Sequence, residues 1–295
     1  MKISMKIIVT FSGGKDSTAA LLRIRNNFTK NFTTVFCDTG WEHPLTYKYI
    51  DEVSDKLQLD LVTLKSKKYD GMIDLARKKK RFPSTGARFC THELKAIPTY
   101  DYILDEVKDD FVIIQGIRAA ESASRAKMAS QCNYFKYHLE DRINKGNKLV
   151  HETYRRKEVL EYCSKYATDI LRPIFDWSAQ QVIDYIIENG LEPNPLYKMG
   201  FKRVGCFPCI MTRNAEIYQI ARRFPERITE IASYEKEINS SFFGPDSIPK
   251  HAYAGAYPLI ADVARYVQNK HDAGTLFEEY SDATSCMSYY AGICE

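Results

Sequence analysis

Apolar runs alternate with amphipathic helical patterns through the first two thirds of the chain. Short runs rich in β-branched and aromatic residues, typical of buried strands, occupy residues 7–11, 32–37, 59–64 and 111–115. Between them, apolar positions recur at helical spacing, as in 46–58 and 71–80. This alternation predicts an α/β fold with a doubly wound, mostly parallel sheet of the Rossmann-like class.

The pattern changes after residue 127. A less regular stretch, 128–165, is followed by three segments with helical patterns, 180–189, 217–238 and 259–270. Ser178 is the expected N-cap of the first of them. The sequence contains no internal repeat and no low-complexity linker. We therefore predict one domain over residues 1–212 and a helical C-terminal extension, 213–295, packed on it.

The first apolar run leads directly into Ser12-Gly13-Gly14-Lys15-Asp16-Ser17, and a helical pattern follows. The two glycines allow a sharp turn that directs backbone N–H groups to one point at a helix N-terminus, where the helix dipole favours an anion. Ser12 and Ser17 add hydroxyl donors, and Lys15 adds a positive charge. The spacing differs from that of a Walker A loop, so the hexapeptide is another kind of phosphate loop or an incidental turn. Because strand, loop and helix occur together, we favour phosphate binding.

The overall charge is balanced, with 42 Lys and Arg against 38 Asp and Glu among 295 residues and a formal net charge of +4. This balance is compatible with anionic substrates and is not typical of a dedicated nucleic-acid binder. The basic run at residues 77–81 is either a solvated helix end or a contact for a polyanion. Apolar runs are too short to span a bilayer and the first five residues lack a secretory signal, so we expect a cytoplasmic protein.

The chain has eight cysteines. Cys206 and Cys209 have the spacing with which two thiolates hold one metal ion or cluster. A redox dithiol has the same spacing, but the strand-to-helix context of a thioredoxin-like pair is not evident around it. Cys132 and Cys163 have no second ligand at metal spacing, and we expect both to be structural thiols.

Two further turns follow strands on the edge where doubly wound sheets bind ligands. The run at 32–37 ends in Asp38-Thr39-Gly40, which we expect beside the phosphate loop and within reach of a ribose or an adenine. The run at 111–115 ends in Gly116-Ile117-Arg118, with Glu121 and Arg125 close behind. Two arginines on such a turn can bind an anion, and Glu121 can pair with one of them. An ordinary surface salt bridge is the alternative.

These segments precede Pro173-Ile174-Phe175-Asp176-Trp177, Asn194-Pro195-Leu196-Tyr197 and Gly205-Cys206-Phe207-Pro208-Cys209. The set resembles, in order, the motifs of the phosphoadenosine phosphosulfate (PAPS) reductase family, and the hexapeptide resembles the PP-loop of the adenine nucleotide alpha-hydrolase superfamily. The resemblance covers roughly residues 5 to 212. It implies an adenine nucleotide, ATP or an adenylyl sulfate (APS or PAPS). Its phosphates would lie on Ser12, Gly13, Gly14, Lys15, Asp16 and Ser17, with the nucleoside near Asp38 and Thr39.

The resemblance also implies catalytic residues. Arg118 and Arg125 would hold the sulfate or terminal phosphate, Lys15 of the loop is a further catalytic residue, and Gly116 would help to bind the nucleotide. In sulfonucleotide reduction, a cysteine thiolate near the C-terminus attacks the sulfur, and thioredoxin or glutaredoxin then releases sulfite. Family reductases carry that cysteine in Glu-Cys-Gly-x-His, whereas this chain has Gly292-Ile293-Cys294-Glu295, so Cys294 is a candidate nucleophile outside the usual motif.

A metal centre is a further implication of the resemblance. Cluster-bearing members hold a 4Fe-4S cluster through cysteines from two regions, which correspond here to Cys90 and to the pair Cys206 and Cys209. Cys286 is the candidate fourth ligand, with Cys294 as the alternative. If neither folds back, one iron is open and could carry a sulfur atom, as in the three-cysteine clusters of tRNA thiolation enzymes of the superfamily. A zinc site formed by three cysteines with His92 or water would use the same thiols.

Superfamily relatives suggest a second function, in which the PP-loop cleaves ATP to AMP and pyrophosphate, with Mg²⁺, so that sulfur can be inserted into a nucleic acid. DNA phosphorothioation and tRNA thiolation are the two forms of this sulfurtransferase hypothesis. A cysteine desulfurase would supply the sulfur, and the basic run at 77–81 would contact the nucleic acid. A non-catalytic nucleotide-binding module is the third hypothesis. A homodimer is compatible with each of them.

Overall fold

The computed structural model describes residues 5–143 and 147–274. The chain forms two compact units whose segments alternate along the sequence. The first unit contains the residues up to Cys37 together with Tyr49–Leu64 and Ala96–Pro193. The second contains Asp38–Lys48, Lys65–Lys95 and, among the described residues, 194–274. The chain therefore passes between the units several times before it remains in the second.

A six-stranded sheet forms the centre of the first unit. Its strands are β1 (Lys6–Thr10), β2 (Thr33–Cys37), β3 (Asp60–Leu64), β4 (Phe111–Ile114), β5 (Gln131–Asn133) and β8 (Thr168–Leu171), arranged in the order β3-β2-β1-β4-β8-β5. All neighbours pair in parallel except β5, which lies antiparallel at one edge. The short strands β6 (Arg142–Ile143) and β7 (Leu149–Val150) form a separate antiparallel pair.

The strand order creates a switch point. From β1 the chain moves outward to β2 and β3, and it then returns to place β4 on the other side of β1. In open α/β sheets, the crevice at such a point, beyond the carboxyl ends of the strands, is where ligands bind. The predicted doubly wound, mostly parallel sheet is confirmed, and its switch point lies between β1 and β4.

Apolar side chains of the strands and the flanking helices form the core of the first unit. On one face of the sheet, Ile8, Val35 and Ile113 pack with aromatic residues that include Phe111 and Phe135. The helices that begin in or cross this unit are Lys15–Asn27, Pro44–Leu57, a helical segment of α and π turns over residues 89–107, Ala123–Ala126, Lys136–Leu139, Arg156–Lys165 and Ala179–Glu188. Ser178 caps the last of these by accepting a hydrogen bond from Gln181 N, as predicted.

The second unit is helical over its described residues. Its helices are Met72–Lys79, Asn214–Arg223, Pro225–Ile238 and Ile260–Asp272. The helical pattern predicted over 217–238 corresponds to two helices, Asn214–Arg223 and Pro225–Ile238. Two helices occur because Pro225 lacks a backbone N–H and starts a new helix at its first position. Buried Glu235 then accepts hydrogen bonds from Phe242 N and Ile260 N, which joins the second helix to the start of the last.

The helical C-terminal part is confirmed for the residues that the structure describes. The predicted boundary between a domain over residues 1–212 and an extension over 213–295 stays a prediction. Within the two described ranges, no helix is both long and apolar enough to cross a membrane.

Candidate functional site

The phosphate loop, residues 12–17, connects β1 to the helix Lys15–Asn27. Gly13 has a φ of 68°, a left-handed conformation that favours glycine. The hydroxyl of Ser17 donates to the Gly14 carbonyl at 2.9 Å and accepts from Ser12 N at 3.2 Å. Ser17, predicted as a phosphate donor, thus also fixes the shape of the loop from within.

Arg118, on the turn after β4, reaches the phosphate loop. Its Nε donates to Asp16 Oδ1, and its side chain is only 6% exposed. The ammonium of Lys15 lies 3.5 Å from the other oxygen of the Asp16 carboxylate. Asp16 therefore holds two cationic side chains at the start of the helix. This arrangement favours an anion there, because both the cations and the helix N-terminus attract negative charge.

Gly116 permits this approach of the two turns. A Cβ atom at this position would overlap the backbone of Asp16 and Ser17. The turn after β4 can therefore contact the start of the helix only because residue 116 has no side chain.

Glu121 joins the two arginines predicted to bind an anion. Its Oε2 accepts from Arg118 N at 3.0 Å and also from Nη1 of Arg125. The predicted pairing of Glu121 with an arginine is confirmed. Arg125 keeps a third of its side chain exposed, whereas the side chain of Arg118 is buried. The first unit thus brings together Lys15, Gly116, Arg118 and Arg125.

Asp38 and Thr39 open the second unit, so their predicted position beside the phosphate loop stays a prediction. Asp38 Oδ1 accepts from the hydroxyl of Tyr47 at 2.6 Å, and Oδ2 lies 3.0 Å from the ammonium of Lys65. Burial acts to raise the pKa of Asp38, but hydrogen bonds from Tyr47 and Gly40 N and the charge of Lys65 outweigh it and hold the pKa below its usual value. Burial and the bond to Asp38 raise the pKa of Tyr47 well above its usual range.

Glu42 is a buried carboxylate that the sequence analysis missed. It accepts from Thr39 N at 3.1 Å, from the Thr39 hydroxyl at 2.7 Å and from Trp41 N at 3.2 Å. Its Oε1 is also the acceptor for the Cys206 thiol, at 3.9 Å. The spacing Thr-x-x-Glu, which is typical of a capping box, was the available signal in the sequence.

The cysteine loop, residues 205–209, is fixed to the segment around Trp41 within the second unit. Glu42 and Cys206 form a backbone bridge, and Phe207 N donates to the Trp41 carbonyl at 2.7 Å. The indole N–H of Trp41 donates to the Pro208 carbonyl at 2.9 Å. The guanidinium of Arg227 donates twice to the Phe207 carbonyl, at 2.9 and 2.6 Å, and lies over the Trp41 ring.

Glu216 holds the chain on either side of the cysteine loop. This buried carboxylate accepts from Lys202 N at 2.9 Å and Arg203 N at 3.2 Å through one oxygen. The other oxygen accepts from the Thr212 hydroxyl and from Arg213 N, both at 3.2 Å. One carboxylate thus joins the entrance and the exit of the loop, a role that no local pattern in the sequence indicated.

The three described candidate metal ligands belong to the second unit. Burial, together with the neighbouring Cys209, raises the pKa of Cys90, and burial raises the pKa of Cys206 to about 11. Within residues 5–143 and 147–274, no three His, Cys, Asp or Glu side chains form a group that could hold a metal ion. The chemistry of the thiols suits a cluster, but their described arrangement does not by itself form one. Cys286 and Cys294 lie outside the described residues.

The basic run at 77–81 is largely ion-paired. Three of its side chains have carboxylate partners in the second unit: Arg77 with Glu237 at 2.6 Å, Lys78 with Asp74 at 2.8 Å and Lys79 with Glu93 at 3.1 Å. Arg81 lies over the ring of Phe89. Of the two interpretations offered by the sequence, these contacts favour an ordinary helix end over a contact for a polyanion.

Comparison with known proteins relates most of the chain to one protein family. Residues 6–212 match the family model described as the phosphoadenosine phosphosulfate reductase domain. The chain belongs to this family. The match confirms the resemblance drawn from the motifs, and the PAPS reductase region includes both the phosphate loop and the cysteine loop.

Relatives of this PAPS reductase family member differ in length. An uncharacterised 37.8 kDa protein of Escherichia phage 186 is 30% identical over 98% of this chain and 96% of its own length. An uncharacterised protein of Methanocaldococcus jannaschii is 29% identical over 76% of this chain, which spans only 40% of that protein. A PAPS reductase of Baumannia cicadellinicola is 25% identical over 63% of each chain.

Proposed function

We propose that this protein is an enzyme that binds an adenylyl nucleotide through its phosphate loop and reduces an adenylyl sulfate to sulfite. The observation that carries the proposal is the loop at residues 12–17, at the switch point of the sheet, with Lys15 and Arg118 both held by Asp16. Membership of the PAPS reductase family supports the choice of nucleotide. In this proposal, the loop and Lys15 bind phosphate oxygens, while Arg118 and Arg125 orient the group that reacts.

The proposed reaction transfers a sulfo group to a thiolate. The Cys294 thiolate attacks the sulfur, the bond between sulfur and the bridging phosphate oxygen breaks, and the nucleotide leaves with that electron pair. The product is an S-sulfonate on Cys294. One thiolate of a dithiol protein of the thioredoxin or glutaredoxin class then attacks the Cys294 sulfur, expels sulfite and forms a mixed disulfide. The second thiolate of that protein attacks its own sulfur in the mixed disulfide, which returns Cys294 to a thiolate and leaves the dithiol protein oxidised to a disulfide.

A 4Fe-4S cluster is part of the proposal. Cys90, Cys206 and Cys209 would hold it together with Cys286, and the cluster would supply a fixed charge. The chain's own contribution is visible in the second unit, where Glu42, Trp41 and Glu216 hold the cysteine loop. A count of iron and acid-labile sulfide, in the wild type and in Cys206→Ser, tests this part separately from turnover.

Turnover assays test the proposed reaction. The protein, purified without oxygen, is mixed with APS or PAPS and reduced thioredoxin, and sulfite is measured. In parallel, ATP with Mg²⁺ is supplied, and AMP and pyrophosphate are measured. Sulfite release that is lost in Lys15→Ala and in Cys294→Ser supports the reductase. Cleavage of ATP alone contradicts it and supports a nucleic-acid sulfurtransferase served by a cysteine desulfurase. Binding without either reaction supports a non-catalytic module.

A further inference from the structure

Arg172 is a buried cation without an anionic partner in the part of the chain that the structure describes. It follows β8 directly and is only 4% exposed. Its Nη1 donates to the Ala129 carbonyl and lies 3.7 Å from the Cys132 sulfur. Its Nε has no hydrogen-bond partner, and no carboxylate of residues 5–143 or 147–274 forms a salt bridge with it.

Gln115 stands beside Arg172 with a second unpaired atom. Ile114 on β4 pairs with Leu171 on β8, and Gln115 N continues this ladder by donating to the Leu171 carbonyl at 3.0 Å. Gln115 and Arg172 are therefore the next pair of neighbours, and paired residues of parallel strands direct their side chains to the same face. The buried Oε1 of Gln115 has no hydrogen-bond partner among residues 5–143 and 147–274.

Gln115 and Arg172 lie on the same edge of the sheet as the phosphate loop. The ends of β1, β4 and β8 lie side by side on one edge of the sheet, and the loop follows β1. Because neighbouring strands are about 4.8 Å apart, the ends of β1 and β8 are separated by about 10 Å. Both sites lie within the first unit and on the same edge, so one ligand of nucleotide size can reach from one to the other.

A buried guanidinium without a counter-ion is unfavourable, because burial removes its hydration and a hydrogen bond from Nη1 to the Ala129 carbonyl replaces only part of it. A bound anion would supply the missing charge and accept from Nε. A hydroxyl on the same ligand, or a water bound with it, would donate to Gln115 Oε1. A tetrahedral oxyanion such as a phosphate or sulfo group meets the first requirement and fits the planar donor arrangement of an arginine.

We propose that Arg172 and Gln115 form an oxyanion subsite, separate from the phosphate loop, for a second phosphate or sulfo group of the nucleotide. This proposal rests on the proposed nucleotide function and adds a substrate preference to it. The substrate class is an adenine nucleotide with two separate anionic groups, one in the loop and one on Arg172. A free sulfate ion carries the same chemistry and provides an independent probe.

Calorimetric titration tests the subsite. Two ligands are compared: adenosine 3′,5′-bisphosphate, which carries a second phosphate, and AMP, which does not. Each is titrated into the wild type, Arg172→Met and Arg222→Met. Arg222→Met is the charge control, because it removes an exposed arginine. We expect the wild type and Arg222→Met to bind the bisphosphate at least ten-fold more tightly than AMP. Arg172→Met should bind the two alike, and Arg172→Lys should restore part of the preference. Equal affinities in the wild type would overturn the proposal.

Thermal unfolding with inorganic sulfate separates this proposal from the nucleotide function. Sulfate should raise the midpoint of the wild type and Arg222→Met but not that of Arg172→Met, and without anions Arg172→Met should unfold no earlier than the wild type. If no nucleotide binds while this sulfate effect holds, the nucleotide function fails and the subsite stands. Two outcomes refute the subsite. If sulfate raises the midpoint equally in all variants, Arg172 does not bind the anion and at most binds water. If Arg172→Met and Arg172→Lys both unfold at lower temperature than the wild type without anions, the role of Arg172 is structural.

Discussion

Asp16 and Arg118 form a salt bridge that joins the helix after β1 to the turn after β4. The two residues are far apart in sequence, and they follow two strands, β1 and β4, that are neighbours in the sheet. Because the same carboxylate also lies 3.5 Å from the Lys15 ammonium, Asp16 sets the positions of two cations at the phosphate loop. The proposed anion site therefore depends on a residue that carries negative charge.

We expect Asp16→Ala to destabilise the protein by about 3 kcal/mol, because it leaves the buried Arg118 guanidinium without its counter-ion. Urea unfolding measures this change. Arg265→Ala is the control, since Arg265 forms its salt bridge with Asp262 at the surface and its side chain is 62% exposed; its removal should change the free energy of unfolding by less than about 1 kcal/mol. Similar effects of the two substitutions would contradict the structural role of Asp16.

Gly116→Ala should disrupt the phosphate loop. The added methyl group would overlap the backbone of Asp16, which cannot move aside as a side chain can. We expect loss of stability and at least ten-fold weaker nucleotide binding. Gly244→Ala is the matched control, because a Cβ atom at Gly244 meets nothing within 4 Å. Unchanged binding in Gly116→Ala would show that the two turns are not held in contact.

Glu216→Ala should release the cysteine loop. The substitution removes the acceptor for three backbone N–H groups and one hydroxyl, and each buried donor left without a partner costs about 1 to 3 kcal/mol. The rates at which a thiol reagent modifies Cys206 and Cys209 should rise. Glu216→Gln keeps one oxygen acceptor and should show a smaller increase. Rates that stay at the wild-type level in Glu216→Ala would contradict this account of the loop.

The acid stability of the second unit should depend on Tyr47. Asp38 has a lowered pKa in the folded protein, so its contribution to stability is present above the usual carboxyl pKa and is lost as the pH falls through the folded-state value. Tyr47→Phe removes a hydrogen bond to the carboxylate and should raise the pKa of Asp38. The variant should be less stable than the wild type near neutral pH, and the difference should shrink in acid.

Urea unfolding at a series of pH values from about 7 to about 3 measures this difference. Tyr257→Phe serves as the control because Tyr257 is 53% exposed. A difference between Tyr47→Phe and the wild type that is constant over this range would mean that the hydrogen bond to Asp38 does not perturb its ionisation.

The local signals in the sequence were sufficient for four of the six strands of the central sheet and for the position of the phosphate loop. Strands β1 to β4 were predicted to within a residue or two, since each is a short apolar run next to a turn. β8 was missed because Thr168 and Asp169 interrupt its apolar pattern, while its pairing with β4 comes from the fold. β5 lies in the stretch predicted to be irregular, and its three residues give no strand signal.

Long-range partners could not be predicted from local patterns. The basic run at 77–81 allowed either a solvated helix end or a polyanion contact, and the sequence did not show that Arg77 pairs with Glu237, which is distant along the chain. Glu216 carries no sequence signal for its position beside the cysteine loop, because its acceptor role depends on how the chain folds around it. The same holds for Arg172, which is notable because no carboxylate of the described residues pairs with it and its Nε lacks a partner among them.

The central claim is that the loop at residues 12–17 binds the phosphates of an adenylyl nucleotide, and calorimetric titration of ATP and PAPS tests it most directly. We predict saturable binding of at least one of them to the wild type. Binding to Lys15→Ala should be at least ten-fold weaker, with an unchanged free energy of unfolding. If neither nucleotide binds, or if Lys15→Ala binds as tightly as the wild type, the phosphate loop does not have the function proposed for it.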